Sequence, residues 1–341
     1  MKKKNLLEKH KPYFIAEISA NHQGNLGLAK KLIRCAKANG ANAVKIQSFS
    51  PETMTIKSNK KYFKIKNGLW KGHTLWDLYK KAQTPFAWHK QLFDFAKKIG
   101  VTIFSTPFDE SAVDFLEKLK CPMYKIASFE MTDLPLIKKV AATKKPMIIS
   151  TGMSTLNEID LTFKTAKKYG AKDITLLYCV SNYPSKIEDF NLNNINILKQ
   201  KFKCRVGFSD HSLDDTVAMT AVASGAEVIE KHIALEDQYK GLDIKFSIKG
   251  RKIKNFKKKL DLVYKLLGRK TFFRNNSESK SKIFRRSVFA IKNIKKGELF
   301  TNYNIKRIRP GYGLEPKYFE KLLGKKSKKF IPEGEPIKKF I

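Results

Sequence analysis

The 341-residue sequence lacks the features that mark several large protein classes. It has no apolar run near the roughly 20 residues that a membrane-spanning helix needs, and its N-terminal MKKKNLLEKHKP lacks the apolar core of a signal peptide. Cysteine is also scarce, and no Cys-x-x-Cys pair occurs among Cys35, Cys121, Cys179 and Cys204. We therefore predict a cytoplasmic protein with reduced thiols and no membrane partner.

Arginine is scarce too, although the formal net charge is +38. Only nine of the 69 basic residues are arginine, which is the residue favoured for bidentate contacts to phosphate and guanine. The lysines are spread along the chain, mostly at the ends of predicted helices, where they suit the helix dipole. We interpret the charge as a solvated surface and predict no nucleic-acid partner, while a positive field would attract small anionic substrates.

The dinucleotide fingerprint Gly-x-Gly-x-x-Gly is absent after the first predicted strand, where the sequence reads SANHQGN. Up to about residue 235, helical patterns alternate with eight strand-like runs: YFIAEI (13–18), AVKIQ (43–47), VTIFS (101–105), MYKIA (123–127), MIIS (147–150), ITLLYCV (174–180), RVGFS (205–209) and VIEKHI (228–233). This number and spacing favour an α/β fold of the TIM (β/α)8 barrel type over a doubly wound open sheet.

Two intervals do not fit a plain barrel. Residues 48–83 form a loop that is unusually long, and a loop of this length at the catalytic face usually contacts substrate. After a helix near 252–267, the polar stretch GRKTFFRNNSESKSK is typical of a linker, and the remainder returns to β-type alternation with Gly and Pro turns. We predict a barrel domain over 1–268, a linker over 269–282 and a small C-terminal domain over 283–341.

Polar residues follow the predicted strands at the end where barrel enzymes carry their catalytic groups. They are Glu17, Asn21, His22, Lys45, Gln47, Ser105, Thr106, Lys125, Ser128, Glu130, Ser150, Thr151, Tyr183, Ser209, His211, Lys231 and His232. Lysines and hydroxyls that converge in this way suit a phosphorylated anion. His211 and His232, on adjacent strand ends, are candidate ligands of a divalent metal. Glu17 is a candidate for a water or proton step, and Lys125 alone would also suit a Schiff-base aldolase.

Several longer motifs occur in one order over nearly the whole chain: FIAEISANHQGN, AVKIQ, STPFD, YKIASFE, STGMS, YCVSNYPSKIEDFNL, GFSDHS, EKHI and RRSVFA…IKKGE…RPGYGLEP. With these motifs the sequence resembles the sialic acid synthase family. The resemblance implies an enzyme that joins phosphoenolpyruvate to an N-acetylated aminosugar aldehyde and releases phosphate. It also implies a TIM barrel followed by an antifreeze-like (SAF) domain, and a domain-swapped homodimer in which each SAF domain covers the partner's active site.

The resemblance further implies roles for residues at the matching positions. Phosphoenolpyruvate would be held by Lys45, Thr106, Lys125, Ser128, Ser150 and Ser209. The sugar would be bound by Asn21, Gln47, Tyr183, Asp243 and Arg309, with Arg309 coming from the neighbouring subunit. His211 and His232 would bind Mn²⁺, or alternatively Mg²⁺ or Co²⁺. Glu17, Glu130 and His232 would be the catalytic residues.

Within the family, three segments resemble the branch that makes pseudaminic acid, a product used in flagellin glycosylation: IKNGLWKGHTLWDLYKKAQTP, SNYP and GLDIKFS. The sugar would then be 2,4-diacetamido-2,4,6-trideoxy-altrose, which lacks a 6-hydroxyl. Trp70 and Trp76 would suit its apolar end, although either could simply pack the loop. The N-acetylneuraminic and legionaminic acid branches are alternatives, as is the Schiff-base aldolase.

Overall fold

The structure is a computed structural model and describes residues 7, 12–269, 271–272 and 274–338; most of MKKKNLLEKHKP lies outside this part. The chain divides into two compact units, Met1–Gly268 and Arg269–Ile341. The first unit is a closed barrel of eight parallel strands, in which each strand pairs with the next and the eighth pairs with the first. The predicted TIM barrel is therefore confirmed.

The barrel strands begin and end within a few residues of their predicted bounds. They are β1 (Tyr13–Glu17), β2 (Ala43–Ser48), β3 (Thr102–Pro107), β4 (Tyr124–Ile126), β5 (Met147–Ser150), β6 (Ile174–Cys179), β7 (Arg205–Asp210) and β8 (Val228–Ala234). A two-residue strand, β9 (Ile248–Lys249), extends the sheet beside the end of β8. These strands are rich in buried β-branched residues because helices cover a parallel sheet from outside while side chains fill its interior.

The helices of the first unit are α1 (Leu26–Ala38), α2 (Pro51–Met54), α3 (Leu75–Ala82), α4 (Phe86–Lys98), α5 (Glu110–Lys118), α6 (Leu134–Ala142), α7 (Leu156–Lys168), α8 (Asn194–Phe202), α9 (Asp215–Ala223) and α10 (Arg251–Leu267). Side chains cap the first turns of several of these helices. Thr155 and Glu158 form a reciprocal capping box at the start of α7, and the Asn25 side chain accepts from the Leu28 N–H at the start of α1. Within the described residues, no helix combines the length and apolar character needed to cross a membrane.

Gly207 in β7 shows how closely the barrel strands pack. A Cβ at this position would lie 2.3 Å from the Val228 carbonyl oxygen in β8 and 2.6 Å from the Leu177 side chain in β6. The Val228 oxygen belongs to the backbone and cannot rotate away. A residue without a side chain is therefore required where β7 enters the barrel.

The long loop after β2 is an ordered excursion. It contains α2, a 3-10 turn over Lys61–Phe63, and a short antiparallel bridge between Lys64 and Thr74, after which α3 begins. The Ile65 N–H donates to the His73 carbonyl at 2.9 Å, and the Gly72 N–H donates to the Ile65 carbonyl at 3.1 Å. These bonds make the tip of the excursion a small hairpin-like segment over residues 64–74.

The second unit has its own small core. Its elements are α11 (Asn276–Ser279), a 3-10 helix over Lys280–Phe284, the antiparallel pair β10 (Ser287–Ala290) and β11 (Ile305–Ile308), and α12 (Phe319–Leu322). Its core cluster consists of Val288, Ala290, Ile294, Phe300, Ile305, Phe319, Leu322, Ile331 and Ile337. Part of the predicted linker is therefore helical.

Candidate active site

Alternation along β8 decides which charged side chains face the barrel interior. Glu230 lies within 3.5 Å of lysines from β2 and β4, and the His232 ring lies 5.5 Å from the ring of His211. Lys231 between them points the other way. Its Nζ lies 2.7 Å from Asp210 Oδ2 and packs over the Phe256 ring of α10. Lys231 is therefore part of the layer between strands and helices, and its predicted place in the polar ring is wrong.

Four buried charged residues form a continuous network inside the barrel. Lys45 Nζ lies 2.8 Å from Glu17 Oε2 and 3.2 Å from Glu230 Oε2, and Lys125 Nζ lies 3.5 Å from Glu230 Oε1. Burial raises the pKa of Glu17 to about 7 although Lys45 opposes the shift. Burial acts in the same sense on Glu230, but the ammonium groups of Lys125 and Lys45 outweigh it and lower its pKa to about 2. Burial lowers the pKa of Lys125 to about 8.

Glu230 is the main functional candidate that sequence reasoning missed. It bridges two of the predicted phosphoenolpyruvate ligands and accepts a hydrogen bond of 3.0 Å from a third, Ser209. The signal was present, because Glu230 stands two residues before His232 in the same strand and must share its face. Phe246 was missed as well. It follows the eighth strand by a dozen residues, and its ring packs 4.8 Å from that of His232.

The hydroxyl groups of the predicted ring differ in their hydrogen-bond partners. Thr106 Oγ1 and Ser150 Oγ are buried without a hydrogen-bond partner among the described residues. Ser128 Oγ accepts the Gly152 N–H at 3.1 Å, and it keeps its own proton to donate. Ser105 faces the helices instead, since its Oγ lies 2.6 Å from Ser48 Oγ, which in turn lies 2.7 Å from Nε2 of His89 in α4. A buried, unpaired hydroxyl is costly, so an oxygen-rich ligand would satisfy Thr106 and Ser150.

Two further members of the predicted ring have structural roles. His22 contacts Thr84 Oγ1 through Nε2 at 3.2 Å and packs edge-on against Trp88, 5.6 Å away. Burial lowers its pKa to about 4, so its imidazole is neutral. The Thr151 hydroxyl donates to the Leu177 carbonyl at 3.2 Å. The structure therefore excludes these two, with Ser105 and Lys231, from the group that faces the barrel interior.

His211 and His232 meet at the barrel mouth as the sequence predicts. The Nδ1 of His211 lies 3.1 Å from the Val180 carbonyl, so this nitrogen carries a proton and Nε2 is the atom left for a metal. Burial lowers the pKa of His211, but Cys179 and the Val180 carbonyl outweigh burial and raise that pKa above its usual value. His232 is neutral because burial lowers its pKa well below the usual value, and its Nδ1 has no hydrogen-bond partner in the described part of the chain. Asp243 Oδ2 lies 3.8 Å from that nitrogen.

This donor set fits a divalent metal with open coordination positions. Neutral imidazoles are ordinary metal ligands, and a carbonyl behind one ring is the usual means of orienting it. Within the described residues, no group of three His, Cys, Asp or Glu side chains is arranged to hold a metal. A metal at His211 and His232 would therefore complete its coordination with water or substrate oxygens.

Three of the five residues predicted to bind the sugar, Tyr183, Asp243 and Asn21, lie near the histidine pair. The Tyr183 ring lies 4.4 Å from the His211 ring. Asp243 accepts the Ala20 N–H at 3.2 Å, and Asn21 donates to the Ile233 carbonyl at 2.8 Å while its Oδ1 has no partner among the described residues. These contacts bring the segment after β1 and the segment after β8 to one side of the mouth.

The remaining predicted residues lie at different distances from this centre. Gln47 in β2 pairs in register with Thr106 in β3, so it lies at the mouth. Glu130 follows β4 in a 3-10 turn; burial raises its pKa to about 7, and its Oε2 has no hydrogen-bond partner within the described residues. Arg309 belongs to the second unit, where it directly follows β11.

Comparison with known proteins agrees with this architecture. The NeuB family model matches residues 32–272 and the SAF domain model matches residues 285–339. The chain is 43% identical over 331 residues to pseudaminic acid synthase of Campylobacter jejuni subsp. jejuni serotype O:2, covering 96% of each protein. It is 42% identical over 327 residues to the pseudaminic acid synthase of Helicobacter pylori, again covering 96% of each.

A solved structure shows the same likeness in three dimensions. The N-acetylneuraminic acid synthetase from Leptospira borgpetersenii, in complex with citrate, matches with a TM-score of 0.72 and 30% identity. The match covers 80% of this chain and 90% of that one. The resemblance predicted from the motifs is confirmed, and the chain belongs to the NeuB family and ends in a SAF domain.

Proposed function

We propose that this protein is a pseudaminic acid synthase. It condenses phosphoenolpyruvate with 2,4-diacetamido-2,4,6-trideoxy-altrose and releases pseudaminic acid and phosphate. The observation that carries the proposal is the 42–43% identity, over 96% of the chain, to synthases of that name from two organisms. The barrel mouth supports it, since buried ammonium groups, and hydroxyls without a partner among the described residues, lie in the same barrel as the histidine pair.

Phosphoenolpyruvate is the anionic substrate that would bind beside the buried network of Glu17, Lys45, Lys125 and Glu230. Lys45 and Lys125 supply two positive charges in a buried site, where an anion is attracted more strongly than in water. Thr106 and Ser150 offer hydroxyls that the described residues leave unpaired. Ser128, with its proton free to donate, and Ser209 complete the set. Glu230 keeps both ammonium groups compensated, so they remain charged before the substrate arrives.

A divalent metal, most simply Mn²⁺ with Mg²⁺ or Co²⁺ as alternatives, would be held by His211 and His232. When bound, it would act as a Lewis acid toward the aldehyde oxygen of the sugar. The Val180 carbonyl holds a proton of His211 on Nδ1, which leaves Nε2 for the metal, and burial disfavours the cationic form of His232.

The chain's own carboxylates handle the water and the protons. The C3 carbon of phosphoenolpyruvate forms a bond to the aldehyde carbon, water adds at C2, and cleavage of the C2–O bond expels phosphate. A group that moves a proton at neutral pH needs a pKa near 7, and burial gives that value to both Glu17 and Glu130. We assign the water or proton step to Glu17, which accepts the Ser19 N–H at 2.7 Å and contacts Lys45. Glu130 is the second candidate.

The active form is a homodimer in which the partner's SAF domain covers the barrel mouth. Large apolar side chains on four successive loops at the mouth are 61–71% exposed: Phe129, Met153, Ile187 and Leu213. Such a rim is typical of an interaction surface.

Light scattering should give twice the chain mass. Mixing inactive Arg309→Ala and His232→Ala proteins should restore activity, because one mixed dimer contains an intact barrel and an intact Arg309; no recovery would contradict the swap.

The four free cysteines fit a reducing compartment such as the cytoplasm.

The function itself is tested by incubating the pure enzyme with phosphoenolpyruvate, Mn²⁺ and each of three aminosugars, then identifying the acid by mass and NMR. Pseudaminic acid is the expected product. A legionaminic or N-acetylneuraminic product would move the enzyme to another branch, and a borohydride-trapped adduct on Lys125 would indicate an aldolase.

The metal is tested separately. His232→Ala and chelator treatment should both abolish phosphate release, and Mn²⁺ should restore it only in the chelated wild type. Unchanged phosphate release after chelation would remove the metal from the mechanism. Binding of Mn²⁺ measured directly by calorimetry gives a readout that does not depend on turnover.

A further inference from the structure

A row of aromatic rings leads outward from the histidine pair to the long loop after β2. The Tyr183 ring lies 4.4 Å from His211 and 5.2 Å from Phe246, and Phe246 packs 4.8 Å from His232. The outermost member is Trp70, whose ring is 5.7 Å from that of Tyr183 at an angle of 45°. The rings of Tyr183, Phe246 and Trp70 form a continuous aromatic wall beside the metal-ligand pair.

Trp70 is fixed in this position by the surrounding backbone. Its indole N–H donates to the Leu242 carbonyl at 3.2 Å, across 172 positions of sequence. Leu242 directly precedes Asp243, so the bond joins the loop after β2 to the segment that carries a predicted sugar ligand. The tip of the hairpin-like segment turns at Gly72, whose φ of 92° suits glycine. Trp70 is therefore a preformed part of the mouth.

We infer that Trp70 is a specificity-determining residue that contacts the deoxygenated end of the sugar. The inference rests on the proposed function, which places the reacting aldehyde at His211 and His232. An extended six-carbon chain spans roughly 6 Å between its ends, given C–C bonds of about 1.5 Å. A chain of that length that starts at the histidine pair and lies along the aromatic row would bring its far end past Tyr183 and toward Trp70.

A 6-methyl group is favoured against an indole face, because it loses water contact without leaving a polar atom unpaired. A 6-hydroxyl in the same place would lose hydrogen bonds to water against a surface that offers no replacement. Discrimination of this kind is worth about 10- to 100-fold in kcat/KM, the range measured when an apolar pocket separates groups that differ by one hydroxyl or methylene. Trp70 would therefore help to set the sugar preference without touching the reacting atoms.

The other two tryptophans occupy different places. Trp88 lies in α4 and packs against the ring of His22, and Trp76 lies in the first turn of α3. The structure thus separates the two loop tryptophans that the sequence left equivalent. Tyr62 provides a matched control, because it is an aromatic residue of the same loop and is 76% exposed.

The experiment compares wild type, Trp70→Ala, Trp70→Phe and Tyr62→Ala with the 6-deoxy sugar and its 6-hydroxy counterpart of the same stereochemistry. For Trp70→Ala we expect kcat/KM for the 6-deoxy sugar to fall by about 10- to 100-fold, mainly through KM, while that for the 6-hydroxy sugar changes by less than about threefold. Trp70→Phe should be intermediate and Tyr62→Ala unchanged. The KM for phosphoenolpyruvate should stay constant in all four proteins, which also shows that the barrel is intact.

Two failures are distinguishable. If the wild type makes no nine-carbon acid from the 6-deoxy sugar, the proposed function is wrong and this inference falls with it. If the wild type makes pseudaminic acid but the Trp70 variants lose activity equally toward both sugars, or lose none, the function stands and the inference is overturned.

Discussion

Replacing Glu230 with glutamine removes the charge from the centre of the buried network while keeping the shape of the side chain. At the observed separations of 3.2 Å from Lys45 and 3.5 Å from Lys125, each attraction amounts to about 5 kcal/mol with an effective dielectric constant near 20. The desolvation of the three ions offsets most of that sum. Removing one member of a buried pair typically costs about 3–5 kcal/mol, because the remaining charge stays buried without compensation.

We expect Glu230→Gln to lower the free energy of unfolding by that amount. Lys45 keeps Glu17 at 2.8 Å, so most of the loss should arise at Lys125, which is 2% exposed. Urea denaturation followed by tryptophan fluorescence is the appropriate assay, because Trp70, Trp76 and Trp88 all lie in the barrel unit. The midpoint should fall by about 1–2 M urea.

Glu227→Gln is the matched control. It makes the same chemical change three residues earlier in the chain, where the carboxylate pairs with Lys199 at 2.7 Å and both side chains are partly exposed. Exposed pairs contribute about 0–1 kcal/mol, so this variant should lose little stability. If Glu230→Gln lost less than about 1 kcal/mol, or no more than the control, then the network would not hold the lysines as described.

Three other predictions follow from single contacts. Because the pKa of Glu130 is raised to about 7, ionisation of its carboxyl opposes folding as the pH rises from roughly 4.3 to 7. Between urea titrations at pH 5 and pH 8, Glu130→Gln should therefore gain on the order of 2–3 kcal/mol in free energy of unfolding relative to the wild type. A difference between the two proteins that does not change with pH would refute the shift. Asp210→Asn leaves Lys231 without its partner and should destabilise the barrel by about 3–5 kcal/mol in the same assay. The double variant Asp210→Leu with Lys231→Met, which replaces both charges by apolar groups, should recover most of that stability. An equal loss in the two proteins would contradict the ion-pair account. In Gly152→Ala the new Cβ would lie 2.1 Å from Ser181 Oγ and 2.8 Å from Ser128 Oγ, so both hydroxyls would have to shift. Because Ser128 is displaced, steady-state kinetics should show a higher KM for phosphoenolpyruvate, and an unchanged KM would separate Ser128 from that substrate.

The barrel could be predicted because its sequence signals are local and repeated. Eight short buried runs alternate with amphipathic helices, and the carboxyl ends of parallel barrel strands must meet at one face. Glu17, Lys45, Lys125 and His211 each lie within or just after such a run, so their convergence followed from the fold alone. The structure places all four at the barrel mouth.

The orientation of neighbouring residues was not predictable in the same way. Strands of a parallel barrel are buried on both sides, so hydrophobicity does not show which of two adjacent positions faces inward. Ser105 and Lys231 were therefore grouped with Thr106 and His232, although they point to the helices. Glu230 was overlooked although it stands two residues before His232, a spacing that puts both side chains on one face of the strand.

The sequence by itself determined the order of strands and helices, the division after residue 268 into a barrel and a small second unit, and the family to which the chain belongs. These properties depend on patterns within short windows and on motifs in a set order. Tertiary structure alone decided that Lys45 and Lys125 share one carboxylate, and that Trp70 rests against Tyr183. The physical reason is that charge compensation and burial depend on distances in space, and these contacts join residues more than a hundred positions apart.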